Sequence, residues 1–485
     1  MSAVVMAAAV VCLVVELLTG AEEVVSFLVV GVVSGLTALG LAARYHLPPV
    51  IRTTSLLVAV VSATGVAATF AAVPYLVSGA LDVDAAIFEA VAGITTTSST
   101  AIADPGELGH GVALWRAASQ WLGAAGVVLM VVVVLPELGI GGLDPGGVAT
   151  RSARRVAPRA GAAVRRLGSL YLGLTVFCGL GYIAAGMPTF EALFHALTTA
   201  STGGFSTRPD SLAGFDSAGV EIVAIIVMAL AGTSLPLLWR VLRRRDVAAF
   251  GHSIEVKAYV AVLVLVAVAD LLGSGVDDGV ARSIRTSIFA ATSAVSTTGF
   301  VLEPLSSIDP GAAAVLILAM GAGGMAASMS GGFKLVRVLA VYGYVRRELV
   351  RQLHPESRSA VRIGSSAISE PMASRMIGSI SLSLAVLVVG ALVLSSVDPA
   401  LDSSTAIVDA VSIAVTSVAN AGPADVVGAT VTWPVRLGVV GRMTSAVLMI
   451  IGRVEVTPVL VAVAMAGDRT RFLVPPLRQS TELDR

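Results

Sequence analysis

Four short polar turns interrupt otherwise apolar sequence, and each follows an apolar segment too short to cross a membrane. Turn one covers residues 95–100, turn two 201–205, turn three 296–300 and turn four 420–423. Backbone that is not helical is tolerated at membrane depth only where protein surrounds it or where it lines an aqueous path. One such turn would be explained by packing, whereas four in series indicate four re-entrant loops around one axis.

The composition indicates a membrane protein. The chain has 485 residues, of which 56% are hydrophobic and 13% are charged, whereas soluble domains carry about 25% charged residues. At about 20 apolar residues per crossing, the long hydrophobic runs predict about ten transmembrane helices. We place them at 3–20, 24–43, 55–78, 111–135, 167–186, 218–239, 257–273, 311–345, 376–396 and 440–465.

The segments that precede the turns, 84–97, 189–202, 284–298 and 404–420, are predicted to be re-entrant pore helices. The predicted fold is therefore an all-α polytopic membrane protein with four span–pore-helix–loop–span repeats around a pseudo-four-fold pore. Two further helices precede the repeats. The predicted units are an N-terminal extension (1–47), repeat one (48–150), repeat two (151–250), repeat three with a broken inner helix (251–355), and repeat four with a tail (356–485).

The turns are aligned by taking Ser98, Gly203, Gly299 and Gly422 as equivalent positions. Phe88 and Phe289 each lie ten residues before their turn position and suggest a common wedge on the pore helices. The self-similarity is weak in residue identity, but the layout recurs, as in membrane proteins that are built from repeats.

Basic and acidic residues alternate between successive loops. Arginines cluster at Arg44 and Arg52, between 151 and 166, 240 and 257, and 346 and 375, and in the tail at Arg469, Arg471 and Arg478. By the positive-inside rule these loops are cytoplasmic. Both termini of this cell-membrane protein are therefore predicted to lie in the cytoplasm, and every turn to enter the membrane from outside. Residues 1–20 also fit a signal peptide, but they lack a basic n-region and a convincing cleavage site, which favours a retained helix.

The residue types of the turns suit a dehydrated monovalent cation. Backbone carbonyls supply oxygen ligands without a strong countercharge, glycine permits the dihedral angles that aim them, and hydroxyls add further oxygens. No carboxylate lies within the four turns, which argues against a calcium site. The predicted ion-binding residues are Thr97, Ser98, Thr202, Gly203, Thr298, Gly299, Ala421 and Gly422.

A glycine- and serine-rich segment, residues 323–332, interrupts the long apolar stretch after turn three. Glycine weakens a helix, and the stretch is too long for one straight crossing. Close packing between helices explains small residues. A broken helix whose middle forms a flexible loop below the filter, acting as a gate, explains them better.

Several other side chains are assigned from their positions. Arg453 lies deep in the last span, where a charge is costly and usually functional. The alternatives are that Arg453 snorkels to the interface or pairs with Glu455.

His195 is predicted to be a packing residue rather than a ligand, and Arg116 and Arg442 are predicted to mark the outer ends of spans. Cys12 and Cys178 are assigned to packing. No carboxylate is expected to be buried inside a span, which favours channel-like conduction over proton-coupled symport.

The sequence resembles the TrkH/KtrB branch of the potassium-transporter superfamily that also contains the plant HKT proteins. The resemblance covers nearly the whole chain, and its motifs are specific mainly in their order and spacing. The motifs that carry it are Phe88-Glu89-Ala90 before turn one, Gln120-Trp121-Leu122-Gly123 with Gly126 and Leu135-Pro136, Ser201 to Thr207, Thr297 to Phe300, Asn420 to Pro423, Gly331-Gly332-Phe333-Lys334, and Gly452-Arg453-Val454-Glu455.

The resemblance implies a homodimer with one potassium-conducting pore in each chain, surrounded by membrane lipid. It also implies a cytoplasmic TrkA/KtrA-like regulatory ring that binds NAD or ATP/ADP, while this chain has no dinucleotide fingerprint and holds no cofactor. No nucleic-acid partner is expected. The residues that the resemblance assigns to the gate are Gly323, Gly324, Ala326, Ala327, Ser328, Gly331, Gly332 and Lys334, with Arg453 beside them.

Ser98 departs from the family pattern, which has glycine at the first filter position in most bacterial relatives. In the related plant proteins, a serine there is associated with transport that favours sodium. A side chain in place of a hydrogen displaces one carbonyl of the ring or supplements it with a hydroxyl. A sodium-permeable or sodium-selective transporter on the same scaffold is therefore the alternative function.

Two other classes of protein fit less well. An intramembrane enzyme requires a catalytic constellation, but the histidines are widely separated and the acidic residues show no repeated metal-binding spacing. A secondary transporter of organic solutes has paired inverted repeats, whereas these four units run in the same sense.

Overall fold

The computed structural model describes residues 2–19, 24–44, 53–133, 156–275, 279–303, 308–356, 360–398, 401, 406–422 and 433–467. Arg52, Leu135, Pro136, Pro423 and the basic tail at 469–478 lie outside the described residues, as do the predicted unit boundaries near residues 47 and 150.

The described part of the chain is built from α-helices. Their bounds are α1 Ser2–Thr19, α2 Val24–Arg44, α3 Thr53–Val77, α4 Val83–Ile94, α5 His110–Val133, α6 Val156–Ala184, α7 Thr189–Ala200, α8 Ala218–Ala231, α9 Leu235–Arg244, α10 Ala248–His252, α11 Ile254–Ser274, α12 Val280–Val295, α13 Pro310–Ala322, α14 Leu335–Leu353, α15 Glu370–Val397, α16 Ala406–Ala419, α17 Trp433–Arg436, α18 Val439–Val454 and α19 Val456–Gly467. A two-stranded antiparallel hairpin, β1 Arg362–Ile363 and β2 Ser366–Ala367, follows α14.

The four predicted pore helices are present as α4, α7, α12 and α16, which have 12, 12, 16 and 14 residues. At 1.5 Å per residue, each is too short for a hydrocarbon core of about 30 Å. Helices α4, α7 and α12 end where Thr and Ser replace the apolar residues, and α16 ends before Asn420. The length of the apolar run and the change to polar residues thus determine where each helix stops.

The four helical units close into a ring. Each pore helix packs between the two flanking helices of its own unit: α4 between α3 and α5, α7 between α6 and α8, α12 between α11 and α13, and α16 between α15 and α18. The second flanking helix of each unit also contacts the pore helix of the next unit: α5 contacts α7, α8 contacts α12, and α13 contacts α16. The last contact, between α18 and α4, joins unit four to unit one, which is the arrangement expected of a pseudo-four-fold bundle.

The two N-terminal helices pack outside this ring. Helices α1 and α2 contact each other, and they contact α3 and α5 of the first unit. Both Cys12 and Cys178 are buried and carry free thiols, as expected for packing residues. A buried hydrogen bond from the Gly111 amide to Glu16 Oε2 (2.6 Å) ties α1 to the start of α5.

Three predicted spans are not single straight helices. The span predicted at 218–239 is α8 and α9, bent by 102°, and the span at 440–465 is α18 and α19, bent by 105°. Pro236 lies in the first turn of α9 and Glu455, between α18 and α19, has a φ of 73°, so the helical backbone ends at both places. The span predicted at 311–345 divides into α13 and α14 around residues 323–334.

Six described helices are long and apolar enough to cross a membrane, or up to eight if each bent pair counts as one span. The six helices are α2, α3, α5, α6, α11 and α15. The remaining two of the ten predicted spans are α1, whose described apolar part is short, and the interrupted α13–α14 pair.

Close packing between α4 and α5 yields a prediction. A Cβ added at Gly123 of α5 would overlap the carbonyl oxygen of Ile94, at the end of α4, whereas a Cβ at Gly126 would meet nothing within 4 Å. We expect Gly123→Ala to destabilise the protein by about 1–3 kcal/mol, because overpacking shifts the end of α4. The matched Gly126→Ala change on the same helix should leave the apparent Tm in detergent unchanged or slightly raised. Equal Tm values for the two variants would contradict this packing.

Candidate functional site

The four turns share one backbone geometry. Each contains a non-glycine residue with a left-handed φ between 49° and 58°: Thr96, Thr202, Thr297 and Asn420. The amide of the next residue then donates to the carbonyl five residues earlier, over 2.8–2.9 Å, in the pairs Thr97–Ala92, Gly203–Thr198, Thr298–Ser293 and Ala421–Thr416. Because left-handed residues other than glycine are uncommon, four such residues in matching places show that the repeats share this structure.

This shared geometry corrects the predicted alignment of turn two. The residue after the common hydrogen bond is Ser98 in turn one, Gly204 in turn two, Gly299 in turn three and Gly422 in turn four. Gly203 is therefore equivalent to Thr97, Thr298 and Ala421, and the predicted equivalence of Gly203 with Ser98 is wrong by one residue. The sequence held the signal, because Ser201 to Phe205 and Ser296 to Phe300 match when their phenylalanines are aligned.

The realigned residues meet at one place. A Cβ added at Gly299 would overlap both Ser98 Oγ and Gly422 Cα, and one added at Gly204 would lie 2.7 Å from Ser98 Cβ. A Cβ at Gly422 would lie 2.7 Å from Ser98 Oγ. Three glycines are thus required where the four backbones converge, and Ser98 places the only side chain among these four positions.

Ser98 points its hydroxyl into this meeting point. Its Oγ is buried, and it has no hydrogen-bond partner among the described residues. The hydroxyls of Thr96 and Thr202, one residue before the common amide, are buried without a partner as well. Buried polar groups usually find partners, so unpartnered oxygens at this point fit a place where oxygen ligands are offered to an ion.

Two amide side chains that the sequence analysis gave no role hold the turns together. Gln120, on α5, donates from Nε2 to the carbonyl of Gly203 (2.7 Å) and accepts from the Phe205 amide (3.3 Å). Asn420 donates from Nδ2 to Thr97 Oγ1 (3.2 Å) and to the Met449 carbonyl (2.8 Å). The sequence signal for Gln120 was a polar side chain in the middle of an apolar helix. Burying an amide side chain is costly unless it forms hydrogen bonds.

Behind turn one lies a buried ion pair that also corrects the sequence analysis. Arg116, predicted to mark the outer end of a span, is 1% exposed and pairs with Glu89 of α4 over 2.9 Å. Arg116 also donates to the carbonyl of Ser206 (3.2 Å) and to Thr100 Oγ1 (3.0 Å). The Glu89 carboxylate accepts the Ala101 amide (2.8 Å), so one ion pair supports the segments that follow both turn one and turn two.

The predicted aromatic wedge is present, and it includes a third member. Phe88, Phe194 and Phe289 each lie ten residues before the realigned turn position, and all three are fully buried. Phe194 was missed because turn two was aligned one residue off. His195 beside it is fully buried, with Nδ1 bonded to the Glu191 carbonyl (2.8 Å) and Nε2 to Ser206 Oγ (3.1 Å), as a packing residue should be.

We use the name glycine loop for residues 323–334, between α13 and α14. Gly323 and Gly332 have φ values of 70° and 75°, and a Cβ at Gly331 would overlap the carbonyl oxygen of Ala419, just before turn four. Gly331 also donates its amide to Thr297 Oγ1 of turn three over 2.6 Å. The loop therefore contacts turn three and the residue before turn four directly, and a glycine is required at 331 by that closeness.

The predicted gate residues lie together in this loop, which is held from several sides. The amides of Met325 and Met329 donate to the carbonyls of Gly232 and Ala231 at the α8–α9 bend, over 3.0 and 3.1 Å. The Gly332 amide donates to Ala419 over 2.8 Å. A loop bonded through its backbone in this way satisfies its own polar groups without a helix.

Positive charges surround the glycine loop. Arg453 of α18 donates from Nη1 to the carbonyl of Met329 over 3.2 Å, and its Nε and Nη2 are buried without a described partner. Lys334 donates to the Ser330 carbonyl. The pairing of Arg453 with Glu455 that we considered does not occur, because Glu455 pairs with Arg337 over 2.6 Å. A cavity of about 80 Å³ is lined by Lys334, Arg453 and Glu455 together with Asn420 of turn four.

The expectation that no span buries a carboxylate is wrong. Helix α11, a candidate span, carries Glu255 and Asp270, which are 6% and 3% exposed. Asp270 lines a cavity of about 220 Å³ that reaches Gly299 and Phe300, and its Oδ1 has no described hydrogen-bond partner. With carboxylates buried in α11, the spans no longer favour channel-like conduction over proton-coupled symport.

These features define the class of protein. The chain is a polytopic, all-helical membrane protein in which four re-entrant turns of one geometry meet at a point beside a glycine loop. The family model described as TrkH, cation transport protein, matches residues 51–471. The chain belongs to this family.

Individual relatives agree with that assignment. The Trk system potassium uptake protein TrkH of Halomonas elongata is 30% identical over 320 residues, which cover 64% of this chain and 66% of that protein. The potassium uptake protein TrkI of the same organism is 29% identical over 401 residues, or 81% of this chain and 80% of that protein. The match to the first of these spans slightly less than two thirds of the relative's length.

A solved structure has the same fold. The crystal structure of the potassium transporter TrkH from Vibrio parahaemolyticus superposes with a TM-score of 0.85 at 24% identity, covering 94% of this chain and 95% of that chain. The predicted fold class and family resemblance are thereby confirmed. The family is one of cation transporters rather than enzymes, which agrees with the missing catalytic constellation in the sequence.

The buried ion pair yields a prediction. Arg116→Met leaves the Glu89 carboxylate buried and unpaired, which should destabilise the protein by about 3–5 kcal/mol. The control is Arg285→Met, which breaks a pair with Glu221 whose side chains are 27% and 12% exposed and should cost less. Apparent Tm values in detergent test this.

A second variant separates the charge from the packing. Adding Glu89→Gln to Arg116→Met removes the unpaired carboxylate and should recover part of the lost Tm. Equal losses for Arg116→Met and Arg285→Met, with no recovery in the double variant, would show that the buried pair does not support the turns.

Proposed function

We propose that this protein is the pore-forming membrane subunit of a Trk/Ktr-type potassium uptake system. The observation that carries the proposal is the convergence of Ser98, Gly204, Gly299 and Gly422 at one point, reached by four turns that share a left-handed residue and a backbone hydrogen bond. The relatives described as potassium uptake proteins support potassium as the ion.

The filter that we propose is made of the backbone carbonyls of the four turns. The predicted residues Thr97, Thr298 and Ala421 follow the left-handed residue in turns one, three and four, as Gly203 does in turn two. Thr202 is itself the left-handed residue of turn two. Realignment adds Gly204 to the proposed filter. Neutral carbonyl oxygens replace the hydration shell of a potassium ion while allowing it to leave.

The gate that we propose is the glycine loop. In the arrangement described, it contacts turns three and four through Gly331 and Gly332, and Lys334 and Arg453 place positive charge beside it. Both the loop backbone and these charges oppose the passage of a cation. Opening therefore requires the loop to leave its bonds with Ala231, Gly232 and Ala419.

The Ser98 hydroxyl favours weaker discrimination against sodium than a filter with four glycines. The Oγ lies beside Gly299 and Gly422 and has no described partner, so it is available as an additional ligand. An extra hydroxyl ligand tightens or distorts one side of the ring, and the smaller sodium ion tolerates this better. Sodium permeation on the same scaffold is the second candidate function.

The family suggests the setting of the pore. We propose a cell-membrane homodimer with both termini in the cytoplasm and turns that enter from outside, above a TrkA/KtrA-like ring that binds NAD or ATP/ADP. The clustering of arginine in alternate loops supports the orientation. No cofactor is proposed for this chain.

Growth and rubidium uptake of a potassium-uptake-deficient bacterium that expresses this chain with a TrkA-like subunit test the function. We expect rescue at low external potassium. The Ser98→Gly variant should raise the ratio of rubidium to sodium uptake by about three- to tenfold, on the order of 1 kcal/mol of discrimination. Ser99→Gly, the same change at the next residue, is the matched control and should leave the ratio unchanged.

The outcomes separate the candidates. Sodium uptake without rescue would make the protein a sodium transporter, and no cation uptake with the regulatory subunit present would contradict the pore. An unchanged ratio in Ser98→Gly would show that the hydroxyl takes no part in selecting the ion.

A further inference from the structure

We infer that Glu255 is a positioning residue that holds the glycine loop in its docked arrangement, so that cation passage requires this contact to break. Its Oε1 accepts the amide hydrogen of Ala326, in the middle of the loop, over 2.6 Å. The sequence motifs do not include Glu255, and the position of Arg453 beside the loop does not predict its role. The inference rests on the proposed gate.

The position of Glu255 differs from that of an ordinary acid at the start of a helix. Acidic residues favour the first turn of a helix because of the helix dipole. Here Ser253 already caps α11, since its side chain accepts the amide of Val256 (3.4 Å). The Glu255 carboxylate instead leaves its own helix, reaches the loop, and is 6% exposed.

The strength of the contact follows from its short length and its burial. Removing one partner of a buried hydrogen bond leaves the other partner without a bond, which is costly. Among the described contacts that hold the glycine loop, the others use backbone carbonyls, the Thr297 hydroxyl or the cation Arg453. Glu255 is the carboxylate in this set.

The test is basal rubidium uptake by the full chain without the regulatory subunit. Glu255→Ala should raise basal uptake about tenfold relative to wild type, because the docked loop loses a short, buried side-chain bond. Glu255→Gln retains an acceptor without the charge and should give an intermediate increase. The control Ser253→Ala removes the cap of the same helix without touching the loop and should leave basal uptake at the wild-type level.

Amide hydrogen exchange of the purified protein gives a second measurement that does not depend on transport. Peptides covering 323–334 should exchange faster in Glu255→Ala than in Ser253→Ala. If Glu255→Ala does not fold, Glu255→Gln decides on both measurements. Unchanged or lowered basal uptake together with unchanged exchange in the loop would overturn the role of Glu255. Faster loop exchange in a protein that transports no cation under any condition would instead overturn the proposed function.

Discussion

The structure depends on the need to satisfy backbone amides and carbonyls where four non-helical turns lie inside a bundle of apolar helices. At membrane depth an unpaired backbone group is costly, and each turn resolves this by a left-handed residue followed by a hydrogen bond to the carbonyl five residues back. The ring of helix contacts from α5–α7 to α18–α4 then brings the four turns to one point.

The turns and the glycine loop form one connected structure. Thr297 of turn three accepts the amide of Gly331, and Ala419, just before turn four, accepts the amide of Gly332. Asn420 in turn joins turn four to Thr97 of turn one. A movement of the loop therefore alters bonds of two turns, so ion selection and gating share residues in this account and are not independent of each other.

The sequence predicted the elements that depend on length and composition. The pore helices, their ends at short polar turns, and the break near Gly323 follow from local residue types, and the structure has them close to the expected places. The register of turn two, the burial of Arg116 and the bends at 232–234 and at Glu455 were missed. The burial of Arg116 depends on a partner distant in sequence, Ser206. The register of turn two was available locally, from the alignment of Phe205 with Phe300.

The burial of the Asp270 and Glu255 carboxylates could not be predicted from local sequence either. Asp270 and Glu255 lie at the ends of α11, and sequence position alone suggests that they face water at a membrane surface. Their burial depends on how α12 and the glycine loop pack over α11, which local patterns do not encode. The surroundings of an ionisable residue in a membrane protein are set by tertiary packing.

The most direct test of the central claim is an experimental structure of the protein in rubidium or thallium, with anomalous or difference density used to locate the ion. We expect density on the axis enclosed by Ser98, Gly204, Gly299 and Gly422, with backbone carbonyls of the turns directed at it. Ion density that is absent from this point, or that is surrounded by Gly203 in place of Gly204, would contradict both the convergence of the turns and the realignment of turn two.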